Sequence, residues 1–418
     1  MGTIAAALLA AAGTAGGATP PLAVELVTPD RTEAVVRLEA VDRAPLDAPH
    51  AVTAAMLFLD GKPDQEILLL PGSGRDAYEA VVGPLGPGRH RIEVRASEHW
   101  PADARLAWTG LSARAVVPGD PGHDALRFAP RLGLRGDTVG EATDLPLLMY
   151  VEEDAAEGGR RLRYTVVFSN EDGGTPARAL MARWGRATDI ELLYEVVLGP
   201  GGEVLAERYQ GPDHEIRPFR GRRKGAHPLL VDATLNNLFR DQGRSPAVVA
   251  LVPEAFGTSE ATRESFMDRH PWSYRTMAKE LALEGKLFPG RGQPRDQVVD
   301  DPRRYLYAEA RLRLVNAAVA ARAGFADGRE RSSHQGDPRL VIARDGWVRT
   351  AVPLGSGVPT AVAWECLPRD PAGEPARCEI EASRAFLLGE DYRPGPSRVA
   401  PASLRLAGGE SEVLKPAP

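Results

Sequence analysis

Two stretches of this 418-residue chain gather side chains that can do chemistry. In the first, Asn170, Glu171 and Asp172 precede Gly173-Gly174, and Asp189 and Glu191 open a strand-like run further on. If those ends converge, Asn170, Asp172, Asp189 and Glu191 offer amide and carboxylate oxygens to a hard cation. Calcium, which takes about six to eight oxygen ligands, is the expected metal. The spacing is that of no standard calcium loop, and an acidic turn beside a wet strand face accounts for the same residues.

In the second stretch, Asp213, His214, Glu215 and His227 bring two histidines and two acids into a short span. Histidine titrates near neutrality and a carboxylate can orient it, so a general acid/base pair or a mixed-ligand metal site is chemically available. The catalytic candidates are therefore Asp189, Glu191, His214 and His227, with Glu215 as a further carboxylate. Between the histidines, Arg217, Arg220, Arg222, Arg223 and Lys224 surround Phe219. Guanidinium forks bind oxyanions bidentately, so these five cations could grip phosphate, sulfate or an acidic glycan, unless they simply form a solvated loop. Thr234, Asn236 and Asn237 follow closely and could add polar contacts.

Motifs with a fixed local signature are missing. There is no Gly-x-Ser-x-Gly elbow, Walker loop, Rossmann fingerprint or His-Glu-x-x-His helix, and Gly72-Ser73-Gly74 and Gly355-Ser356-Gly357 read as flexible turns. A glycosidase needs only two placed carboxylates and leaves no such signature. Two readings stand: an exported binding or cell-envelope protein of bacterial type, with a glycan or protein partner, or an extracellular hydrolase of polysaccharide or another polymer.

The elements that must position these residues are mainly strands. With 43 Gly and 36 Pro, the chain must turn often, and Pro is excluded from helix interiors and central strands. Residues 20–117 show short β-favouring runs at sandwich spacing and predict an immunoglobulin-like β-sandwich. Residues 118–136, rich in Pro, Gly, Asp and Arg, are expected to be a linker. A larger antiparallel β-sandwich domain is expected over 137–335, and strands in 336–418 are expected to complete it, with a third unit as the alternative. Within it, Ile190, Leu192, Tyr194, Val196 and Leu198 alternate with Asp189, Glu191 and Glu195, the period of a half-buried strand. Gly199-Pro200-Gly201-Gly202 turns that strand back into Val204 to Tyr209. A helical insertion is expected near 262–287, with Thr262 as cap and Pro271 kinking or dividing it.

The ends and the charge bear on compartment. Residues 1–18 hold a run of small and apolar residues and predict a signal peptide, although no Lys or Arg precedes the run. That run is shorter than the roughly 20 apolar residues of a membrane span, so no integral membrane segment is expected. A net charge of −6 gives no general attraction to nucleic acid. Cys366 and Cys378 are the only cysteines, flank a Pro-rich loop, and predict a hairpin disulfide in a secreted or periplasmic protein. A second reading keeps them as free thiols.

One stretch resembles a known family. Arg163-Tyr164-Thr165-Val166-Val167-Phe168-Ser169-Asn170, then Thr188-Asp189-Ile190-Glu191, Tyr209-Gln210-Gly211, and His227-Pro228-Leu229-Leu230-Val231 follow the order of features in the vacuolar protein sorting-associated protein 62 family. This sequence has Leu192 where an aromatic residue or His would be expected. The resemblance covers about residues 163–239 and implies a β-rich domain without an established activity.

Overall fold

A computed structural model describes residues 8–9, 21–42, 52–98 and 106–417. The apolar run expected to be a signal lies outside them, apart from Leu8–Leu9. The chain is mainly β, built of sheets whose strand pairs are mostly antiparallel, and divides into two compact units: Met1–Asp172 with Asp189–Gly257, and Gly173–Thr188 with Thr258–Pro418.

The first unit begins with an immunoglobulin-like sandwich. One sheet runs Leu8–Leu9, Leu22–Thr28, Gly88–Ala96, Thr53–Leu59, Lys62–Leu69, and the other runs Ala77–Leu85, Thr32–Asp42, Leu106–Val116. Period-two patterning drives it: Leu22, Val24 and Leu26 are buried, while Glu25 and Val27 face out. Asp60 and Gly61 both adopt positive φ, 51° and 78°, which the tight hairpin between Thr53–Leu59 and Lys62–Leu69 requires.

Residues 118–136 are not a linker. They hold the helix His123–Arg127 and the strand Arg131–Gly133, with Leu126, Phe128, Leu132 and Leu134 buried. Their Pro and Gly content signals turns, but the interleaved apolar residues insert into the core. Arg131–Gly133 lies between His227–Asp232 and Val248–Val249 in a sheet. A six-stranded sheet accompanies it, in the order Ile216–Pro218, Val204–Gln210, Asp189–Leu198, Gly159–Phe168, Pro146–Ala156, Pro253–Ala255. The Gly turn forms as expected, with Gly199 N donating to Glu203 O at 2.8 Å. The alternation of Asp189–Leu198 breaks at a bulge, so Leu193 enters the core where Leu192 was expected.

The second unit is a sandwich of two four-stranded sheets. The first runs Gly346–Pro353, Tyr305–Val315, Arg377–Phe386, Ala402–Ala407, and the second runs Glu330–Ser332, Ala317–Gly324, Ala361–Pro368, Ser411–Val413. Residues 305–335 thus pair with strands of 336–418 and not with those of 137–257, which moves the expected boundary. Cys366 and Cys378 form a disulfide with Cα atoms 5.9 Å apart. They sit on strands of opposite sheets and are buried in the common core with Trp364, so the bond ties sheet to sheet across the sandwich.

The helical insertion divides where proline dictates. Ser265–Asp268 is a short helix to which Thr262 Oγ1 contributes a cap, accepting from Ser265 N at 3.2 Å. Pro271 then starts Pro271–Leu283 from its first turn, where a missing N–H costs nothing. A third helix, Ala177–Trp184, was not expected from sequence. It ends at Gly185 with φ 65°, and a Cβ there would meet Arg349 Cγ at 2.7 Å.

Candidate functional site

Of the residues proposed for calcium, Asn170, Asp172 and Asp189 gather near Asn237, which is held by a guanidinium, whereas Glu191 instead accepts from Gln210. Asp189 is 2% exposed, and its Oδ2 accepts from Asn237 Nδ2 at 3.1 Å, while its Oδ1 accepts from Ile190 N at 2.9 Å. Asn237 Nδ2 also donates to Asn170 O at 3.3 Å, and Asn170 Nδ2 lies 3.4 Å from Asp172 Oδ1. Asn237 Oδ1 in turn accepts from Arg135 Nη1 at 3.0 Å. The same guanidinium reaches Asp232 at 2.8 Å, Asp144 at 2.7 Å and Asp137 at 3.0 Å. Arg135 is therefore the cation of this acidic cluster. Among the described residues, no group of three or more His, Cys, Asp or Glu is arranged to hold a metal ion.

Burial, helped by Asp137 and Asp189 nearby, outweighs Arg135 at Asp232 and pushes its carboxyl up to about 7. Its Oδ1 is buried without a hydrogen-bond partner, as befits one guanidinium shared among several acids.

The two histidines part company. His214 stands at a turn where it and Asp213 have positive φ, and its side chain is 56% exposed. Gln210 Nε2 contacts both His214 Nδ1, at 2.8 Å, and Glu191 Oε2, leaving Nδ1 and Oε2 3.8 Å apart. Asn236 Nδ2 lies 3.3 Å from His214 Nε2. His227 is 2% exposed, with Nε2 2.9 Å from Glu33 Oε2 and Nδ1 2.9 Å from Ala129 O. It fastens the strand His227–Asp232 to the N-terminal sandwich, and Gly83 leaves the room, since a Cβ there would lie 1.7 Å from Glu33 Oε2. His214 and His227 are close in sequence, but His214 lies on the turn between two strands of the six-stranded sheet and His227 on a strand of another sheet, so they share no site. Glu215 pairs with Arg217 at the surface, 2.9 Å apart.

The basic run is likewise dispersed. Arg223 grips Glu207 with both terminal nitrogens and lies over the Phe219 ring, Lys224 Nζ reaches Asp64 Oδ1 at 2.6 Å, and Arg222 donates to Gly243 O at 2.7 Å. With Arg217 on Glu215, most of the positive charge is neutralised within the fold, and the expected oxyanion grip does not assemble. Sequence reasoning also missed Arg135, Asp144, Asp232 and Gln210, and of these Asp232 lies 97 positions from its partner Arg135.

A separate site lies on the second unit. The outward residues of Tyr305–Val315, Gly346–Pro353 and Arg377–Phe386 form one sheet face, and its two halves differ. On one half, Arg349, fully buried, donates to Glu309 Oε1 at 2.7 Å and to both oxygens of Asp268 at 3.1 and 2.7 Å. Tyr274 OH accepts from Arg349 at 2.5 Å and donates to Asp268 Oδ1 at 2.6 Å, while Arg384 reaches both acids. Burial would raise the Glu309 carboxyl, but Arg349 and Arg384 outweigh it and hold it down to about 2. Helices Ser265–Asp268 and Pro271–Leu283 supply Asp268 and Tyr274, so this half is covered.

The other half is open. Across the strands, Trp347, Arg311, Glu381 and Ser403 fall in one row, and Arg313, Glu379 and Arg405 in the next. Between these positions, Leu312, Ile380, Leu404 and Leu406 point into the core. The result is a groove of about 890 Å³ whose walls include Arg311, Arg313, Arg377, Glu379, Arg405 and Glu410. Its acids are engaged within the fold: Glu379 lies 3.7 Å from Arg405 Nε, Glu410 accepts from Ala407 N at 2.8 Å, and Asp345 accepts from Leu314 N at 2.9 Å. The sequence signal was present in the alternation Arg311-Leu312-Arg313-Leu314.

No protein-family model matches the chain, and no curated protein matches it. Among solved structures, it is similar to the CBM36-1 domain of a multidomain xylanase from the hindgut metagenome of Trinervitermes trinervoides, at 13% identity over 25% of this chain and 76% of that one, TM-score 0.18. A family 35 carbohydrate binding module from an environmental isolate is 14% identical over 28% of this chain and 88% of that one, TM-score 0.19. CBM35 from Cellvibrio japonicus Abf62 is 14% identical over 24% of this chain and 73% of that one, TM-score 0.17.

Proposed function

We propose that this chain is an exported binding protein of the cell envelope or periplasm that holds a glycan without cleaving it. The observation that carries the reading is the open groove on the outer sheet face of the second unit, a wide surface built on strands and edged by arginines and acids. Glu379 lies beside Arg405, and Glu410 and Asp345 accept from the main-chain N–H groups of Ala407 and Leu314, so each groove carboxylate is already engaged within the fold. Of the sequence-derived catalytic set, Asp189 is enclosed by Asn237 and His227 by Glu33 and Ala129, while Glu191 and His214 share Gln210 at the surface.

Export is supported by the disulfide, since such bonds persist in oxidising compartments. Removal of residues 1–18 belongs to the same proposal, and purified exported protein should lack Met1. The likeness of residues 163–239 to the vacuolar protein sorting-associated protein 62 family is kept within it, because that family implies a β-rich domain and no reaction.

The test is retention of the purified full chain on immobilised glycans, neutral and acidic, with the eluted glycan sized afterwards. Retention with unchanged glycan length is expected. Shortened fragments, or no retention on any glycan, would overturn the reading.

A further inference from the structure

Resting on that glycan-binding reading, we infer that the groove of the second unit takes an acidic glycan, one carrying carboxylate or sulfate oxyanions along its length, anchored by Arg311 and Arg313. Three observations carry this.

The first is the placement of the charges. Arg311 and Arg313 alternate along Tyr305–Val315 and so stand about 7 Å apart on the same face. Arg405 belongs to a strand two places away, about 10 Å across the sheet, and Arg377 lies on the strand between. Four guanidiniums are thereby spread over a surface that an extended chain can follow, each able to fork onto a planar carboxylate or a sulfate.

The second is which charges are already engaged. Asp345 and Glu410 are turned onto main-chain N–H groups. The guanidiniums of Arg311 and Arg313 have no carboxylate partner among the described residues. Arg405 is 86% exposed and Arg377 is paired only with the exposed Glu374 at 3.5 Å, contacts a ligand oxyanion can replace at little cost. Among the groove-lining residues the guanidiniums of Arg311, Arg313, Arg377 and Arg405 outnumber the carboxylates of Asp345, Glu379 and Glu410, although the whole chain is acidic.

The third is what the walls lack. None of the groove-lining residues is aromatic, and the neighbouring indole of Trp347 donates its Nε1 to Ser259 O at 3.0 Å. A neutral sugar offers C–H faces that aromatic rings recognise. An oxyanion instead suits these guanidinium walls.

The experiment compares retention of the full chain on polygalacturonate, dextran sulfate and unmodified dextran, at low and moderate sodium chloride. Binding to one or both acidic polymers is expected, weakened by salt because the Debye length is only about 10 Å at 0.1 M. The double variant Arg311→Ala, Arg313→Ala should lose roughly tenfold or more of that affinity, with an unchanged melting temperature showing that the sheet is intact. Arg311→Lys, Arg313→Lys should recover part of the loss, as charge without the fork. Polygalacturonate retention above dextran sulfate assigns the uronate carboxylate, and the reverse order assigns the sulfate ester. Retention on dextran equal to that on both acidic polymers, indifferent to salt and to the double variant, would overturn this inference while leaving glycan binding in place. Absence of retention on all three would overturn both.

Discussion

Arg349 and Glu309 face each other across neighbouring strands, Nε to Oε1 2.7 Å apart, at the edge of the helix-covered half of a sheet whose other half is open. This pair and its partners Asp268, Tyr274 and Arg384 hold the insertion helices on the sheet, so they set where the cover ends and the groove begins.

Removing one charge of such a cluster should be severe. In Arg349→Ala, the buried Glu309 and the part-buried Asp268 keep only Arg384 as a cation between them, and loss of one partner from a buried pair costs about 3 to 5 kcal/mol. Urea unfolding of the variant is expected to show that loss, and a cost below about 1 kcal/mol would remove the cluster from its structural role.

The same pair predicts acid sensitivity. Glu309 is held near 2 in the folded state, below its ordinary value of 4.5, so it binds fewer protons folded than unfolded. Its contribution is fully present above about pH 4.5 and is lost as pH falls toward 2. Glu309→Gln should be less stable than the parent at pH 6, with the gap narrowing below pH 4. A gap independent of pH would show that charge is not what Glu309 contributes.

How much of this was legible in sequence depended on the distance between partners. The strand Asp189–Leu198 was readable because polarity alternation is local, but the bulge that substitutes Leu193 for Leu192 arises from pairing with Tyr164 and Thr165 on another strand. His214 and His227 looked like one site because they are close along the chain. Strand pairing leaves His214 on a turn of one sheet and puts His227 in a strand of another. Arg135 was invisible as a site residue, since Asp232 and Asn237 lie 97 and 102 positions away. In Arg311-Leu312-Arg313 the alternation marked an outer face. It could not tell that helices cover Glu309 on that face and leave Arg311 and Arg313 open.

At Asp232 the linkage runs the other way. Its carboxyl is raised to about 7 from an ordinary 3.8, so the folded state binds more protons and stability falls as pH rises from about 4 through 7. Asp232→Asn resembles the protonated form and should escape that fall. Chemical unfolding at pH 5 and pH 8 is expected to show the parent losing stability relative to the variant at the higher pH. Equal pH profiles would mean that Arg135 keeps Asp232 ionised throughout.

The disulfide makes the last separable claim. Cys366 and Cys378 are 12 positions apart, and a closed loop of that size contributes roughly 3 kcal/mol by restricting the unfolded chain. Because the bond joins opposite sheets inside the core, replacing both residues with Ser would also bury two hydroxyls among Trp364, Ile380 and Val319. Replacement with Ala avoids that burden and isolates the cross-link. The Cys366→Ala, Cys378→Ala protein is therefore expected to lose several kcal/mol, and the Ser pair to lose more. Thiol labelling of the native parent without reduction should modify neither cysteine. If the Ala pair unfolded at the same denaturant concentration as the parent, the bond would contribute nothing to the sandwich.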